Sequence, residues 1–173
     1  GEYWGIHELR EANKNSWYYQ YHYDIDREDP GYDILLHTER NGLPYAEVDE
    51  GDAQHWNEMM NYVNTHNMNI PANYEYLKAM INMDNFIEYM GHCIYTGKWD
   101  WPNSNDASWR PRTFHGKWKW TQFDMETGFG VAASLGPQYA SLGPQLNMIK
   151  AVVEGVHIPG FGKYGPHPIM ARI

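Results

Sequence analysis

Apolar positions recur at helical spacing through the middle of the chain. From Asp52 onward, Trp56, Met59, Met60 and Val63 fall on one helix face. Pro71 suits the first turn of a second helix, which carries Tyr76, Leu77, Met80 and Ile81. Asp84 is expected to cap a third, with Phe86, Ile87, Met90 and Ile94 as its buried stripe. Methionines and aromatics at this spacing read as core rather than as a cofactor box. Strand patterns precede these helices. Glu2 to Leu9 reads as a strand, as do Tyr32 to His37 and Tyr45 to Val48, while Asn15-Ser16 caps a short aromatic helix ending near Tyr23. Asp24 to Gly31 is a polar turn. Beyond the third helix, Asp100 to Arg112 holds too many turn formers for regular structure. Thr113 to Gln122 reads as a hairpin or strand, with Lys117, Trp118, Lys119 and Trp120 alternating across a sheet. Ser134 to Gln138 recurs as Ser141 to Gln145, too few copies for a repeat architecture. A last helix is expected over Gln145 to Glu154, and the Gly/Pro-rich tail from Gly155 is expected to be poorly ordered. The mixture is α+β, with no second domain.

Composition narrows the function classes. A chain of 173 residues can bury a real core, and 16% aromatic content with 14 Tyr and 8 Trp argues against disorder. The formal charge of −9 leaves no Lys/Arg stripe to neutralise phosphates, which argues against a nucleic-acid binder. No apolar run approaches the roughly 18 residues of a transmembrane helix. Cys93 is the sole cysteine, so neither an internal disulfide nor a cysteine metal cluster can form. The histidines lack a ligand-like pair on one helix, which disfavours zinc. Asp24, Asp26 and Glu28 resemble the start of a calcium loop, but Asp29 replaces its required Gly and Leu35 its terminal Glu. The chain opens at Gly1 in what reads as mid-strand, so a fragment of a longer protein is expected, without its targeting signal.

The chemistry concentrates between Trp99 and Gly130. Asp100 and Asn105 are five apart in a loop after a helix; Asp124 follows a strand and precedes a glycine-containing turn. Phosphoryl transfer needs a carboxylate near the acceptor hydroxyl and oxygen ligands for magnesium on the ATP phosphates. Protein kinases supply these residue types in this order. Spacing alone does not distinguish such a site from ordinary turn chemistry, since Asp before Trp-Pro and an Asn-Ser-Asn run are both common in loops.

The surrounding blocks are more specific. Phe86 to Met90, the Asp100-Trp101-Pro102 to Asn105 loop, Trp109-Arg110, Lys117 to Trp120 and Asp124 to Gly130 together resemble the CotH kinase family of secreted atypical kinases. Gly1 to Glu11 is similar to that family's strand leading to the interlobe hinge. The resemblance covers about residues 1 to 130. It implies an atypical protein-kinase-like fold, mainly the helical C-lobe plus the last N-lobe strand. The chain is then a single partial domain over 1–173, with 1–12 the strand and hinge and 13–173 a truncated C-lobe. By the same resemblance Asp100 is the catalytic aspartate, and Asn105 and Asp124 are metal ligands. Glu126 stands where many members carry a second Asp and is carried as a further metal ligand, one methylene longer. Ser104 replaces an Asn common in the family. Arg110 reads either as partner of a loop carboxylate or of phosphate, and Glu11 either as a strand-end charge or a nucleotide contact; both are carried as candidate cofactor-binding residues. Trp101, Trp109, Trp118 and Trp120 read as packing around the loop.

The implied cofactors are ATP with Mg2+ or Mn2+, and the implied substrate is a Ser or Thr hydroxyl of a secreted or surface protein. The family's phosphate-binding lysine comes from an earlier strand. None of Lys14, Lys78, Lys98, Lys117, Lys119, Lys150 or Lys163 stands in a matching place. The expectation is therefore an active parent protein, extracellular or at the cell surface, and an inactive segment. Two alternatives are a pseudokinase or coat-assembly module that binds protein, and an aromatic-rich carbohydrate-binding module.

Overall fold

The structure is a computed structural model and describes residues 5, 11–40, 43–98, 101, 104–125, 128–129, 147–158 and 162–173. Along these residues run α1 (Ser16–Tyr23), β1 (Tyr32–Arg40), β2 (Leu43–Glu50), α2 (Gln54–Thr65), α3 (Pro71–Met80) and α4 (Met83–Thr96). Then follow β3 (Asp106–Pro111), β4 (Lys119–Trp120), α5 (Met148–Glu154), β5 (Val156–Ile158) and β6 (Gly162–Tyr164). The first four strands form an antiparallel sheet in the order β2-β1-β3-β4, and β5 pairs with β6 in a separate hairpin. The class is α+β, as expected.

Local signals set several elements. Asn15 accepts the Tyr18 amide and starts α1. Pro71 occupies the first turn of α3. The cap of α4 differs from expectation: Asn82, not Asp84, accepts the Asn85 amide at 3.1 Å. Asp84 lies instead in the first turn, where a carboxylate complements the helix dipole.

The sheet divides the interior. Cross-strand partners share a face, so β1 and β3 place Ile34 and Trp109 on one side. There Tyr19 of α1 stacks on Trp109 at 4.0 Å and joins Tyr32 and Ile34 in a small core. The other face carries Leu35 and meets the larger core of Trp56, Met59, Leu77, Phe86, Met90, Cys93, Trp118 and Trp120. Helix α4 is locked to the edge strand by one side chain. The amide of Asn85 donates to the Trp120 carbonyl and accepts from the Trp120 N–H, replacing a missing neighbour strand.

Several expectations are corrected. Tyr76 and Ile87, assigned to buried stripes, are 49% and 61% exposed; Leu77 and Ile81 bury α3's end, and Tyr89 and Cys93 complete the α4 face. Both errors are a one-position slip around the helix, within the width of an apolar stripe. The stretch Asp100 to Arg112 is not wholly irregular, because Asp106–Pro111 forms β3 between β1 and β4. Its composition is poor in β-branched residues, and pairing on both sides overrides propensity. The tail is structured as well: β5 and β6 form its hairpin, and His167 and Ile169 are buried. The expected strand over Glu2 to Leu9, the recurring Ser134 and Ser141 segments and the start of the last helix at Gln145 lie outside the described residues.

One buried carboxylate holds β1, β3 and the entry to α2 together. Asp33, 1% exposed, faces Arg110 at 3.3 Å and Arg112 at 3.4 Å, and accepts the Asp52 amide at 3.0 Å. Gly51 permits the close turn, with φ of +71° and no room for a Cβ beside the Tyr32 carbonyl and the Asp33 carboxylate. Replacing one partner of a buried ion pair strands the other charge, which costs about 3 kcal/mol or more. Asp33→Ala should therefore lower the urea midpoint by that equivalent, and a loss below about 1 kcal/mol would show that water already solvates Arg110.

Candidate functional site

The candidate site forms around the C-terminal end of α4. That helix buries Phe86, Met90 and Cys93 and stops at Gly97 in the left-handed conformation, φ +64°. The Gly97 amide bonds the Ile94 carbonyl and the Lys98 amide bonds the Cys93 carbonyl, the paired closure of a Schellman turn. This turn carries the chain off the helix axis and into the interior, and Lys98 is 0% exposed.

Lys98 joins two separate loops. Its Nζ donates to the Asn105 carbonyl at 2.6 Å and to the Phe123 carbonyl at 2.9 Å. The Phe123 ring centroid lies 4.8 Å from the same nitrogen. The two carbonyl oxygens are thus within two hydrogen-bond lengths of each other, although 18 positions separate residues 105 and 123 in sequence. Asn105 and Asp124 both adopt the left-handed conformation, φ +54° and +53°. Asn and Asp tolerate this region better than other non-glycine residues. The turn after Asp124 returns to the helix: the Gly128 amide bonds the Met125 carbonyl, and the Phe129 amide bonds the Thr96 carbonyl. The Lys98 charge also reaches Cys93, whose thiol is pushed up to about 11 by burial while the ammonium pulls the other way.

The structure therefore joins the main chain at Asn105 to the main chain at Phe123, the residue before Asp124. Asp100 and Glu126 lie outside the described residues, as do Trp99 and Asn103. Arg110 is not in the loop. It sits on β3 against Asp33, a carboxylate of β1. Glu11 is exposed, with Oε1 3.4 Å from His22 Nε2. Trp101, Trp109, Trp118 and Trp120 are all buried, in keeping with packing roles.

A hard divalent cation is served by carboxylate and amide oxygens, so Asn105 and Asp124 fit a magnesium or manganese ion by donor chemistry. The buried clamp that joins their loops fits such a pair as well. Among the described residues no group of three or more His, Cys, Asp or Glu gathers to hold a metal.

Beneath the loop lies a buried polar network that sequence reasoning missed. Asp106, 3% exposed, follows Asn105 directly and accepts the Tyr89 hydroxyl at 3.1 Å. His167 Nε2 lies 3.6 Å from the Asp106 carboxylate. The Ile169 and Met170 amides donate to His167 Nδ1, which places the proton of the neutral ring on Nε2, toward Asp106. His37 Nε2 is 2.7 Å from the Ser108 hydroxyl. Burial alone would raise the Asp106 carboxyl, but His167, His37 and Tyr89 outweigh it and its pKa falls below the ordinary value. The only sequence signal for this set was the alternation of Asp106, Ser108 and Arg110, which is legible only once the segment is known to be a strand.

A kinase-like chain is what an α+β fold with this loop pair describes, and the comparison with known families is specific. The chain belongs to the CotH kinase family: the family model described as CotH kinase protein matches residues 1–156. The match extends past the blocks up to residue 130 that suggested it. No curated protein and no solved structure matches the chain. Membership of a kinase family points to ATP and a divalent metal. No helix among the described residues is long and apolar enough to cross a membrane.

The network has a pH signature. Burial pushes the His37 ring below its ordinary 6.5, so the folded state prefers the neutral form. Below pH 6.5 the unfolded chain takes up the proton first, and stability should fall as pH drops from there. His55 is also lowered, chiefly by burial, and contributes to the same slope. His37→Gln should flatten part of the loss of stability between about pH 6.5 and 5, read from urea unfolding at stepped pH. An unchanged slope would remove His37 as a source.

Proposed function

We propose that the protein transfers the γ-phosphoryl group of ATP to Ser or Thr hydroxyls of secreted or surface proteins. Asp100 orients the acceptor hydroxyl and takes its proton, and Asn105 and Asp124 hold a Mg2+ or Mn2+ ion on the ATP phosphates, with Glu126 a further candidate ligand. The metal would neutralise charge on the transferring group. The residues of this chain supply position: phosphoryl transfer asks little covalent chemistry of the protein and depends on orientation and electrostatics. The observation that supports this reading is the buried Lys98 ammonium bridging the carbonyls of Asn105 and Phe123, the latter the residue before Asp124.

Neither Glu11 nor Arg110 is needed for this reading, and Arg110 is already engaged by Asp33. Charge on the ATP phosphates also calls for a cation, and no lysine here matches the family's phosphate-binding one. We place this activity in an extracellular or cell-surface setting.

The test is transfer from γ-labelled ATP to a Ser-rich secreted protein by the full-length protein with Mn2+ or Mg2+. Asp124→Ala should lower the rate by at least about a hundredfold, comparable to losing one preorganised electrostatic contact or more. Undiminished transfer in that variant would place the site elsewhere. Absence of transfer by the unaltered protein, with ATP binding retained, would favour the protein-binding alternative.

A further inference from the structure

Lysine is almost never fully buried, because removing an ammonium from water is costly unless its donors find strong partners. Lys98 is 0% exposed and anchored on the main-chain carbonyls of Asn105 and Phe123. An apolar side chain of similar length, such as methionine, would fill the same volume without that cost. Packing alone therefore does not account for lysine at this position. Its donors bridge one residue that bears a candidate ligand and the residue preceding another.

The two loops have different supports. Residue 105 leads into β3, while residues 121–124 leave β4. The β3–β4 pairing fixes their strands, with Ser108 opposite Trp120, but both chains depart from the sheet before reaching the ligand positions. Beyond that departure, the Lys98 ammonium ties residue 105 to residue 123. Both ligand positions then turn through left-handed backbone, a conformation that persists only when its surroundings hold it. At the base of the arrangement, the C-terminal end of α4 carries partial negative charge, which favours the ammonium there.

We propose that Lys98 is a positioning residue for the metal pair, its buried ammonium fixing the separation of the loops that carry Asn105 and Asp124. The assignment rests on the metal reading given above. Lys98 itself does not touch the metal or the phosphates; it sets where the ligand oxygens can converge. Residues that orient metal ligands in this way typically change affinity by about 10- to 100-fold when removed.

The experiment measures Mn2+ binding to the full-length protein by electron paramagnetic resonance, with no turnover required. The unaltered protein should bind, and Asp124→Asn should abolish or greatly weaken binding. Lys98→Met should raise the Mn2+ dissociation constant by about tenfold or more while far-UV circular dichroism stays native. In the Asp124→Asn background, Lys98→Met should add no comparable further loss, an outcome that a merely structural lysine would not give. Equal Mn2+ affinity in the unaltered and Lys98→Met proteins would overturn this inference and leave the metal reading standing. No Mn2+ binding by the unaltered protein would remove the metal reading and this inference with it. If Lys98→Met does not fold, the unaltered protein still decides the matter. The slowly exchanging 15Nζ signal of the buried ammonium should broaden on addition of one equivalent of Mn2+, and a signal left sharp would overturn the proposal.

Discussion

Strand β3 is buried, yet one of its faces carries Asp106, Ser108 and Arg110. A polar group left unsatisfied in such a place costs about 1–3 kcal/mol, and an unpaired charge costs more. Every one of these side chains must therefore meet a partner. His37 reaches Ser108 and Asp33 reaches Arg110 from β1, while Tyr89 of α4 donates to Asp106. His167 approaches Asp106 from the C-terminal segment, which lies beyond the family match. A slip of one residue would turn these groups onto the aromatic face occupied by Tyr19 and Trp109 and leave them without partners. The polar face thus specifies the register of the central strand more strictly than its apolar residues could.

That register has a direct consequence for the site. Asn105 immediately precedes β3, and Asp124 follows β4, which pairs with β3 and is held at its free edge by Asn85. Fixing β3 fixes the exit of one loop of the candidate site and, through one more strand pair, the other. The last stretch of each loop is then tied at Lys98. A reaction whose catalysis is mostly orientation has reason to place its ligands on the ends of paired strands rather than on long independent loops.

The sequence disclosed the helices more readily than the sheet. Helices α2 and α4 carry a strong apolar period, so their existence was legible, although the slips at Tyr76 and Ile87 show that a stripe's edge is not. Asn15 and Pro71 announced their helix starts by local chemistry that tertiary contacts did not override. Strand β3 was hidden because its partners, not its own residues, make it a strand: Asp, Ser and Pro are poor strand formers in isolation. His167 was hidden in a Gly/Pro-rich tail, since its burial depends on a cavity built by distant residues. In the candidate site, Asn105 and Asp124 were singled out through the resemblance of ordered motif blocks to the family. Lys98 was set aside because it stands at no phosphate-binding position, and nothing local reveals that a Schellman turn carries it inward.

The way Lys98 holds the loops also separates structure from chemistry within the site. It grips main-chain carbonyls, which every residue type supplies, so it places positions 105 and 123 whatever side chains stand there. Anchoring on main-chain carbonyls carries two costs, ordering a long side chain and desolvating its ammonium. The helix end helps to offset the second cost, since the terminal carbonyls of α4 give the site a negative potential before any carboxylate is counted. The geometry of the two loops is in this way set through the main chain, independently of which side chains stand at positions 105 and 123.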